Sequence, residues 1–154
     1  GEAPGTLSFD LIGWTHPRGG DLLVSANWKA AQPGKPETAS TMASGAAGHG
    51  STNPDEVHNT LIGAGPDFAR GRRVRAPSGN VDIAPTLLRL LGVPVPATMD
   101  GRVLREGLRS ESATTKYAQR TVRVETGDGR YVLSANVSEI GGHTYFDGAR
   151  VARK

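Results

Sequence analysis

The residues from 119 onward constrain the fold most tightly. Stretches 119–125 and 131–140 both alternate apolar with polar side chains, the period of a strand with one face covered. Between them Thr126-Gly127-Asp128-Gly129 has the composition of a hairpin turn. Gly141-Gly142 supplies a second turn ahead of His143-Thr144-Tyr145-Phe146. Strands joined by connections this short run antiparallel, because a parallel pair needs a long crossover. The end of the chain is therefore expected to be a small antiparallel β meander.

Upstream the texture differs. Residues 6–14 and 22–28 read as short apolar strands, separated by the turn-forming run His16-Pro17-Arg18-Gly19-Gly20-Asp21. A third short strand is expected over 59–64, ending at Gly65-Pro66. Residues 29–48 hold Ala, Gly, Ser, Thr, Pro and Gln without a period, the composition of a flexible insert. The clearest helix follows Asp82, which is suited to an N-cap, with Pro85 in the first turn where no intrahelical donor is needed. Ile83, Leu87, Leu90 and Leu91 then share one stripe, and Gly92 with Pro94 stops the helix. Residues 100–109 allow a second short helix. Strands and helices first and hairpins last make the chain α/β, and it contains no internal repeat.

Composition excludes several functions. With 154 residues the chain is long enough for one ordinary domain, and its 21 glycines and 10 prolines assign much of it to loops. No apolar run approaches the length of a membrane span. Cysteine is absent, which removes disulfides and thiolate metal sites and leaves His, Asp and Glu as candidate metal ligands. The net charge of +3 is small, and the basic side chains gather only at Arg70, Arg72, Arg73 and Arg75. That run lies in a loop without interleaved aromatics, so a solvated loop is expected and no nucleic-acid surface. The chain opens on Gly1 with no charged-then-apolar leader, the expectation for a processed product or an internal fragment.

One loop stands out chemically. Gly48-His49-Gly50-Ser51 sets an imidazole between two residues that lack side chains, so it can approach a metal or a phosphate unobstructed. On the residues alone, a single imidazole of this kind is a surface group more often than a ligand. The motifs around it change that weighting. His16-Pro17 through Gly20-Asp21-Leu22-Leu23-Val24, then Gly48-His49-Gly50-Ser51, then Gly65-Pro66-Asp67-Phe68 resemble the C-terminal third of the alkaline phosphatase superfamily, in its type I phosphodiesterase/nucleotide pyrophosphatase branch. Asn80-Val81-Asp82-Ile83-Ala84-Pro85-Thr86-Leu87-Leu88, Leu90-Leu91-Gly92-Val93 and Met99-Asp100-Gly101-Arg102-Val103-Leu104 belong to the same resemblance, which runs in order over 16–109. Gly141-Gly142-His143-Thr144-Tyr145 is similar to a tail of some bacterial members.

The resemblance implies the C-terminal part of an α/β/α sandwich over 1–109, with 29–48 a flexible insert. Residues 110–154 would be a β-hairpin tail on the same domain. It also implies two divalent metal ions, usually zinc, about 4 Å apart, which clamp an in-line displacement at phosphorus. A Thr or Ser nucleophile would form the covalent intermediate. His49 maps onto the histidine of the late Gly-His-Gly motif, a ligand of one ion. Ser51 and His58 are candidates for the substrate wall or for a supporting role behind the ligand. The family's early Asp and nucleophile, its spaced Asp and His and its adjacent Asp-His pair have no counterparts here: no Asp is followed by His. No catalytic residue is therefore assigned. The expectation is a fragment inactive alone, whose parent is an extracytoplasmic (periplasmic or secreted) hydrolase of phosphate-ester small molecules and whose immediate partner is the remainder of the catalytic domain. A sulfatase or phosphomutase of the same superfamily, or a non-catalytic truncated relative acting as a binding module, are the alternatives.

Overall fold

A computed structural model describes residues 1, 3–25, 51–111 and 115–154. The glycine-flanked His49, the flexible insert expected over 29–48 and residues 26–28 of the strand expected over 22–28 lie outside the described residues. The described chain divides into two compact units. The first holds Gly1–Asn59, Arg120–Val137 and Phe146–Lys154, and the second holds Thr60–Gln119 and Ser138–Tyr145.

The meander is present as expected. Strands β1 (Ala118–Glu125), β2 (Tyr131–Ile140) and β3 (His143–Arg153) form a three-stranded antiparallel sheet in the order β1-β2-β3. The first turn closes with the Thr126 amide donating to the Tyr131 carbonyl at 3.1 Å and Gly129 to Thr126 at 2.8 Å. In the second, Gly141 and Gly142 have φ of 56° and 84°, the left-handed pair that a two-residue hairpin needs to match strand twist. Along β2, Ala135 and Val137 are buried on one face, and Val132, Ser138 and Ile140 on the other. Strand β3 runs well past Phe146, through Asp147-Gly148 to Arg153.

In the first unit the strand expected over 6–14 is replaced by a 3-10 turn, Phe9–Ile12. Local signals decide this. The Ser8 hydroxyl accepts from the Asp10 amide at 3.2 Å, and Gly13 (φ 64°) ends the turn. The short helix α1 (Pro54–Val57) follows Asn53, whose carbonyl accepts from the Glu56 and Val57 amides at 3.0 Å. Residues 22–25 form no strand, and Leu22 and Val24 are 74% and 81% exposed.

The strand expected over 59–64 is likewise not formed among the described residues, and Ile62, in the second unit, is 82% exposed. Helix α2 (Ile83–Leu90) is where the sequence places it. It ends in a Schellman motif, with the Val93 amide donating to Leu88 at 2.9 Å and the Gly92 amide to Arg89 at 3.2 Å. Of its expected stripe Ile83, Leu87 and Leu91 are exposed and Leu90 is half-buried, while Pro85 and Thr86 are buried. The helix expected over 100–109 shrinks to a 3-10 turn, Arg105–Gly107. Among the described residues the meander is the only sheet, so the α/β/α sandwich is not seen in them. An extended apolar segment becomes a strand only when a neighbour takes up its N–H and C=O groups, and among the described residues these segments have none.

Candidate functional site

The residues on either side of α1 fall in the first unit. Ser51, a candidate for the substrate wall, uses its polar groups locally. Its amide donates to a Glu56 carboxylate oxygen at 3.1 Å, and its hydroxyl accepts from the Asn53 amide at 3.1 Å. Thr52 is tied to Ser25, whose hydroxyl accepts from the Thr52 amide at 3.0 Å. The Thr52 carbonyl accepts from the Ala149 amide of β3 at 2.9 Å. Gly148, just before it, has φ 122°, and a Cβ there would stand 2.9 Å from Pro54 and 3.1 Å from the Thr52 carbonyl. Glycine lets β3 press against the start of α1.

At the other end of α1, His58 meets a residue that the sequence did not connect to it. Its Nε2 lies 3.7 Å from an Asp147 carboxylate oxygen, with side-chain exposures of 59% and 17%. A carboxylate facing one imidazole nitrogen orients the ring, which suits a supporting role behind a ligand. The same contact is also an ordinary surface pair, which carries little energy. The structure thus brings His58 to Asp147 and leaves the Ser51 hydroxyl turned to its own loop. Among the described residues no group of three or more His, Asp or Glu could hold a metal ion. The described side chains do not by themselves fit a two-metal centre.

The second unit contains a buried polar cluster built around Asp82. The sequence reads Asp82 as the N-cap of α2, but its carboxylate makes no cap bond to that helix. One oxygen accepts from the Gly79 amide at 2.8 Å and the other from the Arg102 amide at 2.8 Å. The Tyr145 hydroxyl lies 3.1 and 3.0 Å from the same two oxygens. An aspartate that is fully buried must have its lone pairs engaged, and the backbone 20 residues downstream supplies what the helix does not. The backbone can come that close because residue 101 is glycine: a Cβ there would stand 2.0 Å from the Val81 carbonyl oxygen.

Arg102 extends the cluster. Its guanidinium grips Glu106 through two bonds of 2.6 and 3.0 Å, donates to the Pro77 carbonyl at 2.7 Å and to the Tyr145 hydroxyl at 3.1 Å. Thr86 completes the tie by donating to the Asp82 carbonyl at 2.7 Å and accepting from the Leu104 amide at 3.0 Å. Burial alone would raise the Glu106 pKa, but the hydrogen bonds and charge of Arg102 hold it below the usual carboxylate range. Burial, and then the negative charge of Asp82, push Tyr145 up to about 12. A site for general acid–base chemistry needs an accessible group that titrates near the working pH. Here the groups are closed in and spent on one another. The cluster fastens residues 77–86 to 102–106 and to Tyr145, which is a structural task.

Sequence reasoning named Arg102 and Tyr145 within motifs but gave neither a role, and it missed Glu106 and Asp147. The i,i+4 spacing of Arg102 and Glu106 is a legible signal for an ion pair. Nothing local marks Tyr145 or Asp147, which reach their partners only through the path of β3.

Over 76 residues the chain is 32% identical to the protein named Sulfatase ppz1 from Metarhizium majus (strain ARSEF 297). The match covers 48% of this chain and 18% of that protein, so the chain spans less than a fifth of the relative it matches. The likeness singles out no nucleotide pyrophosphatase branch. No family model and no solved structure matches the chain.

Proposed function

We propose that the chain is the C-terminal part of a metal-dependent phosphoric-ester hydrolase of the alkaline phosphatase superfamily, phosphodiesterase or phosphatase, and inactive alone. The 32% identity to a sulfatase is the observation that carries the hydrolase reading. The uncovered apolar surface supports the rest. Leu22, Val24, Ile62 and Leu91 are each more than 70% exposed, in segments whose patterns are those of buried strands and a core-facing helix. Covering one such side chain gains about 1.5–3 kcal/mol, so a chain that leaves this many open is suited to receive the remainder of a catalytic domain. In this reading residues 1–109 belong to that domain and 110–154 are its tail. His49 ligates one of two divalent ions, zinc in the first instance, with the other ligands and the nucleophile on the remainder. His58 and Ser51 support the ligand or line the pocket. The substrate is a phosphate-ester small molecule, and the parent works outside the cytoplasm.

A sulfate ester is the second reading, favoured by the name of the relative. One experiment tests both. The complete reading frame that encodes this chain is expressed, loaded with zinc, and assayed on p-nitrophenyl phosphate, bis(p-nitrophenyl) phosphate and p-nitrophenyl sulfate. Turnover of a phosphate substrate, lost on the order of 100-fold or more in His49→Ala together with bound zinc, supports the proposal. Turnover of the sulfate alone moves the assignment to a sulfatase. No turnover of any of the three, with zinc content unchanged in His49→Ala, refutes both and leaves a binding module.

A further inference from the structure

The arginine run at 70–75 reads in the sequence as a solvated loop, but the second unit gives it a fixed partner. Phe68 and Leu108 form an antiparallel bridge. Beside it the Ala69 amide donates to the Gly107 carbonyl at 3.0 Å and the Arg109 amide to the Asp67 carbonyl at 2.7 Å. Leu108 is buried. The bridge therefore sets Arg70 and Arg109 on adjoining stretches of backbone, and the two line one open cleft of about 400 Å³. The loop that follows is anchored as well. An Arg72 guanidinium nitrogen donates to the Glu106 carbonyl at 3.2 Å, and the Glu106 side chain is locked to Arg102.

The charge around the cleft is not balanced. Arg89 pairs with Glu111 at 2.6 Å, Arg105 pairs with the same carboxylate, and Arg102 is committed to Glu106. Among the described residues no ion pair involves Arg70, Arg73, Arg75 or Arg109. All four are exposed. Arg70 and Arg109 both line the cleft, and a guanidinium carries a planar N–H fork that suits two oxygens of a tetrahedral oxyanion. Arg73 and Arg75 add positive potential without having to touch the ligand. A cleft of this size holds on the order of ten waters, more than a bare phosphate displaces, so the organic part of an ester also has room.

We propose that the Arg70–Arg109 cleft binds a tetrahedral oxyanion, phosphate or sulfate, carried as a monoester end group. The site needs no metal and stands whether or not the parent is a two-metal hydrolase.

The test uses the 154-residue chain in EDTA at constant ionic strength. Arginine side-chain Nε–Hε resonances are followed by NMR during titration with inorganic phosphate, sulfate, phenyl phosphate, phenyl sulfate and acetate. The expected result is saturable 1:1 binding of a phosphate or sulfate probe with a millimolar dissociation constant. The phenyl ester should bind at least as tightly as the bare ion, and acetate at least tenfold more weakly. Whichever of phosphate and sulfate binds tighter identifies the ester. Arg70→Gln and Arg109→Gln should each weaken binding at least fivefold and the double variant should abolish it. Arg89→Gln, whose partner is Glu111, should change it less than twofold. Circular dichroism establishes that each variant is folded. Non-saturable shifts, an equal response to acetate, or binding that survives in a folded Arg70→Gln/Arg109→Gln variant would overturn the proposal.

Discussion

Replacing Asp82 by Asn tests what its carboxylate does. The side chain keeps its shape, but one oxygen becomes an NH2 group, which cannot accept from a backbone amide. Either the Gly79 or the Arg102 N–H, each now 2.8 Å from an acceptor, is left facing a second donor. An orphaned part-buried donor costs about 1–3 kcal/mol, and weakening the surviving bonds from charge-assisted to neutral adds to that. The expected loss is roughly 2–4 kcal/mol, against a total of about 5–15 kcal/mol for an ordinary domain. Asp82→Ala orphans both amides and the Tyr145 hydroxyl, so its cost should be larger still. Tyr145→Phe removes one hydroxyl that bridges Asp82 and Arg102, and should cost about 1–2 kcal/mol.

Amide hydrogen exchange reads this locally. At about 1.4 kcal/mol per decade, one of the Gly79 and Arg102 amides should exchange at least tenfold faster in Asp82→Asn. The Thr126 amide, bonded within the first unit's hairpin, is the internal reference and should not change. A double-mutant cycle with Tyr145→Phe should be non-additive, since both changes act on the same oxygens. If both amides stay within threefold of their native rates in a folded Asp82→Asn variant, the carboxylate is not what fastens 79–82 to 102, and an N-cap role returns as the better account.

Further outcomes follow from the same geometry. Gly101→Ala drives a methyl into the Val81 carbonyl, a backbone atom that cannot swing aside, and should destabilise the second unit by about 1–3 kcal/mol in denaturant unfolding. Glu106 has a lowered pKa in the folded state, so its contribution is full above the unfolded carboxylate value and disappears as pH falls through the folded one. Glu106→Gln should flatten the acid limb of the stability profile below about pH 4.3. Tyr145, raised to about 12, acts in the opposite sense: its contribution is full below the unfolded value of about 10 and is lost between there and 12. An ultraviolet titration should show a phenol ionising near 12 that Tyr145→Phe removes. Leu87→Lys and Leu91→Lys place charges on the open face of α2 and should change this chain's stability by less than about 0.5 kcal/mol. In a complete polypeptide that covers the face they should cost several times more, and equal small effects in both would refute the docking reading.

What was legible in the sequence is what short-range chemistry decides. The meander follows from a two-residue period and glycine turns, and α2 from Pro85 at its start and Gly92 at its end, each a signal contained within a few residues. The expected strands at 6–14 and 59–64 failed for the opposite reason: a strand is a property of a pair, and an apolar run carries no information on whether a neighbour is present. Asp82 shows the same limit within one residue. Its position before a helix fits an N-cap, yet a carboxylate goes to the donors that burial would otherwise leave unsatisfied, and those come from 79, 102 and 145. Of the candidate site, the sequence missed the His58–Asp147 pair, which depends on where β3 crosses α1. The apolar pattern and the exposure together say more than either alone. A stripe at helical spacing, ended by its own Schellman motif and with Ile83, Leu87 and Leu91 exposed, has the local features of a helix patterned to be covered.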